Sequence, residues 1–164
     1  MPSGTVTFLF TDIEGSTRLW DERPDPMREA LARHDELLRS SIAGHGGYVF
    51  SAAGDGLGAA FARSIDALSA AVDAQRALTA EPWPQGAALR VRMGVHSGET
   101  EERDGNYFGS AVNRAARIMA AAQGGQVVVS DVTAGLLGKA KASGSSIWDR
   151  TDCGDWWTRP GSSG

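Results

Sequence analysis

Lysine is nearly missing from this chain of 164 residues: Lys139 and Lys141 are the only two among 16 basic residues. Any mechanism that needs a lysine before position 139 is therefore excluded. Cysteine is scarcer still. Cys153 stands alone, so no internal disulfide forms, and it has no Cys or His partner at metal-ligand spacing. Excess positive charge is also lacking; the formal net charge is −4, which gives no sequence-wide attraction for nucleic acid or an anionic membrane. No apolar run approaches the roughly 20 residues that span a bilayer, and the opening Met1-Pro-Ser-Gly4 enters a strand pattern without a charged leader. The expectation is a cytoplasmic protein that acts on small molecules, with neither a nucleic-acid nor a membrane partner.

What the chain does have is alternation of strand and helix patterns over a length suited to one core. Gly4 to Thr11 alternates Val6, Phe8 and Phe10 with Thr7, Leu9 and Thr11, a strand that ends at Asp12. Pro26 to Ile42 reads as an amphipathic helix with Met27, Leu31, His34, Leu38 and Ile42 on one face. His34 on that stripe is read as a satisfied buried histidine, not a ligand. Residues 47–61 read as a hairpin joined at Asp55-Gly56. A second helix over Ser64 to Thr79 stops before Pro82-Trp-Pro84, and both helices are expected on the same sheet face. Leu89 to Val95 alternates as a strand, with His96-Ser-Gly98 read as a turn into Glu99 to Glu101, followed by a loop over Glu102 to Gly105. A helix over Ser110 to Ala122 sets Asn113 and Arg117 four residues apart on one face. Gln126 to Ser130 reads as a buried strand, and Val132 to Leu137 as a short helix ending at Gly138. Residues 1–138 are expected to form the domain. Residues 139–164, rich in Gly, Ser, Asp and Pro, are expected to be an irregular tail. The fold class that follows is α/β, an α+β sandwich with helices on one face of a mostly antiparallel sheet.

Asp12 and Asp55 lie 43 residues apart, each at a strand end. If those strands are neighbours, two fixed carboxylates can hold hard divalent cations and leave positions open for substrate phosphates. Taken singly, either acid is also ordinary turn or cap chemistry. The wider pattern decides between these readings. Phe10-Thr-Asp-Ile-Glu-Gly-Ser-Thr17, Gly54-Asp-Gly56, Met93-Gly-Val-His-Ser-Gly98 and Tyr107-Phe-Gly-Ser-Ala-Val-Asn-Arg-Ala-Ala-Arg117 occur in an order and spacing that closely resemble the class III adenylate and guanylate cyclase catalytic domain, especially its actinobacterial members. The resemblance covers roughly residues 4–138.

That resemblance implies a ferredoxin-like core, a head-to-tail homodimer or a heterodimer with a related cyclase, and conversion of ATP or GTP to a 3′,5′-cyclic nucleotide and pyrophosphate. By motif match Asp12 and Asp55, with the carbonyl of Ile13, would hold two Mg²⁺ or Mn²⁺ ions. Asn113 from the opposite subunit would orient the ribose, and Arg117 would meet charge developing at the α-phosphate. Ser51 and Asn106 fall where adenylate cyclases of the family usually carry a purine-reading lysine and aspartate, which implies relaxed base selection. The tail also lacks the terminal strand pair and its triphosphate-gripping lysine. Loss of one such contact costs on the order of 10² to 10³ in rate. Two readings stay open: a slow nucleotidyl cyclase that keeps the metal and transition-state residues, and a catalytically degenerate homologue that acts through dimerisation or nucleotide binding. A phosphodiesterase or nuclease would use the same acids but would leave Asn113 and Arg117 without a role.

Overall fold

The alternating run that opens the chain is strand β1 (Thr5–Ile13), and everything that positions the candidate site is built around it. The computed structural model describes residues 1–142 and 157–158, with side chains as far as Leu137. After β1 come helices α1 (Ser16–Glu22) and α2 (Pro24–Gly44), the hairpin β2 (Tyr48–Ala53) and β3 (Gly56–Phe61), and α3 (Ser64–Ala80). Strand β4 (Val91–Glu99), the small hairpin β5 (Glu101–Arg103) and β6 (Asn106–Phe108), α4 (Ser110–Ala120), β7 (Val127–Val129), α5 (Asp131–Ala142) and β8 (Trp157–Thr158) follow. The main sheet has the order β2-β3-β1-β4-β7-β8. Its β2-β3, β3-β1 and β1-β4 pairs are antiparallel; β4-β7 and β7-β8 are parallel.

Period-two alternation assigns the two faces of the sheet. Leu9 and Ile13 of β1, Leu57, Ala59 and Phe61 of β3, and Val91, Met93 and Val95 of β4 point into one core with Met27, Ala30, Leu38 and Ile42 of α2 and the alanine-rich side of α3. Both helices thus share a face, as their stripes require, and α5 packs there too through Ala134 and Leu137. The opposite face is covered as well, which qualifies the expectation of helices on one face. Val6 and Phe8 of β1, Ala60 of β3 and Tyr107 form a second cluster with Ala111 and Ala115 of α4. Phe8, Phe10, Phe50 and Tyr107 meet there edge to face, with centroids 5.1 to 5.8 Å apart. Each such pair contributes about 0.5–1.5 kcal/mol beyond its buried area.

Several boundaries differ from expectation for reasons of packing. His96-Ser-Gly98 is not a turn: β4 continues through it to Glu99, held by β1 along its whole length. Its glycines mark the close approach of α4. A Cβ at Gly94 would lie 2.3 Å from the Met119 backbone nitrogen, and one at Gly98 would lie 2.8 Å from the Ala111 Cβ. The β2-β3 hairpin closes at Ala53 and Gly56, so its two-residue turn is Gly54-Asp55 and not Asp55-Gly56; the positive φ of 61° falls on Gly54. Asp55 is still at the tip. Of the loop expected at 102–105, Glu102 and Arg103 belong to β5, and only Asp104-Gly105 is the turn of the β5-β6 hairpin, both at positive φ. Helix α5 runs past Gly138 to Ala142, where Lys139, Ala140 and Ala142 are good helix formers. Of the tail expected to be irregular, residues 143–156 and 159–164 lie outside the described residues, and Trp157–Thr158 pairs with Val127 and Val128 of β7.

Candidate active site

The condition set by the two aspartates is met, because β1 and β3 are hydrogen-bonded neighbours. Thr11 pairs with Leu57, so the next position outward sets Asp12 against Gly56 and the turn that carries Asp55. Gly56 keeps that corner close: a Cβ on it would lie 3.2 Å from the Thr11 carbonyl oxygen, a tighter contact than most side chains make. The Ile13 side chain is buried in the core, so only its backbone is available to a ligand. Asp12 is directly opposite Arg92 of β4, whose Nη2 donates to Asp12 Oδ2 at 2.6 Å and whose Nε donates to the same oxygen at 3.2 Å. Asp55 is half-buried, and its Oδ2 is buried without a hydrogen-bond partner.

Those donors suit a hard cation. Two carboxylates and one backbone carbonyl offer only oxygen, and among the described residues no group of three or more His, Cys, Asp or Glu gathers into a closed cage. An ion held here keeps coordination positions for water or phosphate, the habit of Mg²⁺.

Asn113 and Arg117 are elsewhere. Both are exposed on α4 and line a groove of about 580 Å³ between α4, the far end of β4 and the start of α5. Neither aspartate borders it. Along β4, Ala111 of α4 packs on Gly98 and Met119 packs on Gly94, two residues from Arg92, and the groove that Asn113 and Arg117 line opens at the Gly98 end. Within one chain no residue borders both the groove and the carboxylate corner. Arg114 and Arg117 have no ion pair among the described residues, so the groove offers two uncompensated guanidinium groups to an anion, with Glu99 as its one carboxylate. His96 lies beneath them, and its Nδ1 is 2.7 Å from Ser130 Oγ. Burial, assisted by the charge of Arg114, lowers its pKa and keeps the ring neutral near pH 7.

The base-reading positions stand on adjacent elements. The bulge between Val49 and Ser51 turns Ser51 toward Phe10 and Phe50 around Gly58, on the sheet face that carries Asp12. Asn106 opens β6, and its Oδ1 accepts the Tyr107 backbone N–H at 2.9 Å, so the amide oxygen is engaged locally. Tyr48 ties β2 to that hairpin by donating to the Gly105 carbonyl at 3.3 Å. Sequence reasoning missed Arg92 and Arg114. Arg92 was detectable in principle as the polar member of the β4 alternation, but the register that sets it against Asp12 was not.

A mixed sheet with strand-end carboxylates on β1 and the β2-β3 turn, and an Asn/Arg helix packed over β4, defines a class III cyclase fold. The chain belongs to the adenylate and guanylate cyclase catalytic domain family, which matches residues 1–152. An uncharacterized protein of Mycobacterium tuberculosis is 42% identical over 138 residues, covering 83% of this chain and 46% of the relative. The chain thus spans less than half the length of that relative. The adenylate cyclase of Lachancea kluyveri is 34% identical over 156 residues, covering 79% of this chain and 8% of that protein. Among solved structures, an adenylate cyclase of Trypanosoma brucei in its monomeric state superposes with a TM-score of 0.77 at 28% identity, covering 87% of this chain and 80% of the other. Among the described residues no helix is long and apolar enough to cross a membrane.

Proposed function

We propose that this chain is a nucleotidyl cyclase that converts ATP or GTP to the 3′,5′-cyclic nucleotide and pyrophosphate, in a homodimer or in a heterodimer with a related cyclase. The observation that carries the reading is the β1-β3 register that brings Asp12 and Asp55 to one corner, while Asn113 and Arg117 line a groove that contains neither. The catalytic unit extends past the expected boundary at 138 to the end of α5 at Ala142, and the chain beyond it is a divergent tail that returns to the sheet at Trp157–Thr158. Asp12, Asp55 and the Ile13 carbonyl would hold two Mg²⁺ or Mn²⁺ ions, which when bound acidify the ribose 3′-hydroxyl and neutralise the triphosphate. Arg92 adds a guanidinium beside that corner, in reach of phosphate oxygens once Asp12 is engaged by a cation. From the second subunit, the Asn113 amide orients the ribose, and the forked donors of Arg117 meet charge developing at the α-phosphate. Ser51 and Asn106 face the purine with short neutral groups, so both bases are accepted.

A second reading has its own support. The Asn106 amide oxygen is already bonded to Tyr107, and Asp12 is already clamped by Arg92, as suits a degenerate homologue that acts by dimerisation. A cyclase assay separates the two. Purified protein at high concentration in Mn²⁺, with ATP and GTP supplied separately and products resolved by mass, should yield cyclic nucleotide that is lost in Asp12→Ala. Equal signals from wild type and Asp12→Ala would leave the degenerate reading.

A further inference from the structure

Among the described residues three buried side-chain polar atoms have no hydrogen-bond partner: Thr11 Oγ1, His34 Nε2 and Asp55 Oδ2. An unpaired buried polar group costs roughly 1–3 kcal/mol, so three belonging to one region call for a shared cause. Thr11 immediately precedes Asp12, and its carbonyl borders Gly56, the neighbour of Asp55. In the alternation of β1 its side chain points to the face that α2 covers. His34 is on the buried stripe of α2. Burial lowers the pKa of its ring against the opposing charges of Asp35, Asp55 and Asp12, which puts both site carboxylates within electrostatic reach of it. The expectation of a satisfied histidine thus holds for one ring nitrogen only.

Proton bookkeeping narrows what can join these atoms. His34 Nδ1 is 2.9 Å from Asp35 Oδ1. A carboxylate only accepts, so Nδ1 carries the proton, and in the neutral ring Nε2 is an acceptor. Asp55 Oδ2 is an acceptor too, so the two cannot bond directly. The Thr11 hydroxyl has one proton to donate. One water molecule closes the set: it donates to His34 Nε2 and to Asp55 Oδ2 and accepts from Thr11 Oγ1, the three hydrogen bonds typical of a buried water.

We propose that Thr11, His34 and Asp55 form a binding site for one structural water, and that through it His34 and Thr11 are positioning residues for the Asp55 carboxylate. A donor fixed on Oδ2 from inside the fold holds the carboxylate plane and presents the other oxygen outward. The positioning role rests on the two-metal reading above, whereas the bridge itself does not. Outer partners of metal ligands change metal affinity by about 10- to 100-fold when removed, so the low end of that range is the effect to look for.

The test measures Mn²⁺ affinity without nucleotide, by electron paramagnetic resonance of the free ion, on the full chain. Thr11→Val, which keeps the shape and removes the hydroxyl, and His34→Leu should each weaken binding about tenfold. Thr11→Ser and His34→Gln, which restore a hydroxyl and an acceptor, should recover most of it, a rescue that loss of packing alone would not give. Folded Thr11→Val and His34→Leu that bind Mn²⁺ like wild type overturn the positioning role. If His34→Leu does not fold, the isosteric threonine pair decides. Imidazole nitrogen NMR of metal-free wild type gives a readout independent of the metal. The Nδ1–H tautomer with a hydrogen-bonded Nε2 is expected, and an Nε2–H tautomer overturns the bridge. Wild type that binds no Mn²⁺, or Asp55→Ala that binds it as tightly as wild type, sinks the two-metal reading and the positioning role with it, and the NMR result still decides the bridge.

Discussion

The carboxylate corner and the α4 groove are built from opposite materials. At the corner, Asp12 is on a strand hydrogen-bonded on both sides, and the negative charge is partly answered by Arg92 from the next strand. At the groove, Asn113 and Arg117 ride on a helix whose approach to the sheet is set by two glycines, and its guanidiniums have no ion-pair partner among the described residues. One region offers oxygen to cations and the other offers cations to phosphate. On the proposed reading neither makes a metal-nucleotide site alone, and two copies of the chain would supply both halves.

The comparison breaks most visibly at Gly94. Gly94→Ala places a methyl group 2.3 Å from the Met119 backbone nitrogen, where no flexible side chain can give way. We expect α4 to shift outward at a stability cost of about 1–3 kcal/mol, with loss of turnover and retention of Mn²⁺ binding at the carboxylate corner, which β3 and the β2-β3 turn hold independently of α4. Denaturant midpoints beside metal titrations check this, and equal loss at both regions would contradict their independence.

Base selection gives a smaller effect. Ser51→Lys with Asn106→Asp places a cationic donor and an ionic acceptor on the adjacent β2 and β6 elements, and should move the ATP to GTP preference about tenfold toward ATP, the equivalent of one good charged hydrogen bond. An unchanged ratio of kcat/KM values would remove these two positions from the purine site.

Acid should act on the groove side through His96. Burial, then Arg114, holds its folded pKa below the unfolded value near 6.5. Between those two values the unfolded chain binds the extra proton, so stability is full above about pH 6.5 and declines as pH falls below it. Urea midpoints at about pH 7.5 and 5.5 should therefore differ less in His96→Gln than in wild type. An identical acid loss in both would show that the histidine is not a source of it.

The sequence made some of this legible and hid the rest for physical reasons. Alternation in β1 marked the strand and its terminal acid, and the stripes of α2 and α3 marked their shared face. The end of β4 was misread because Gly98, after His96 and Ser97, has the look of a turn residue, and only its contact with Ala111 of α4 shows that it serves close packing. Helix α1 went unread: its seven residues follow a glycine in the left-handed region and have no side-chain cap. Arg92 was a surface residue of a strand until register set it against Asp12. The state of His34 depends on which nitrogen faces which carboxylate, information that no spacing contains.

The separation of the halves is tested most directly by complementation. Asp55→Ala and Arg117→Ala, each expected to be inactive alone, are mixed and allowed to exchange subunits. Statistical pairing gives half heterodimers with one intact site of two, so activity should return to about a quarter of wild type. Mixed protein that forms heterodimers yet shows no more activity than the separate variants would contradict a site shared between chains.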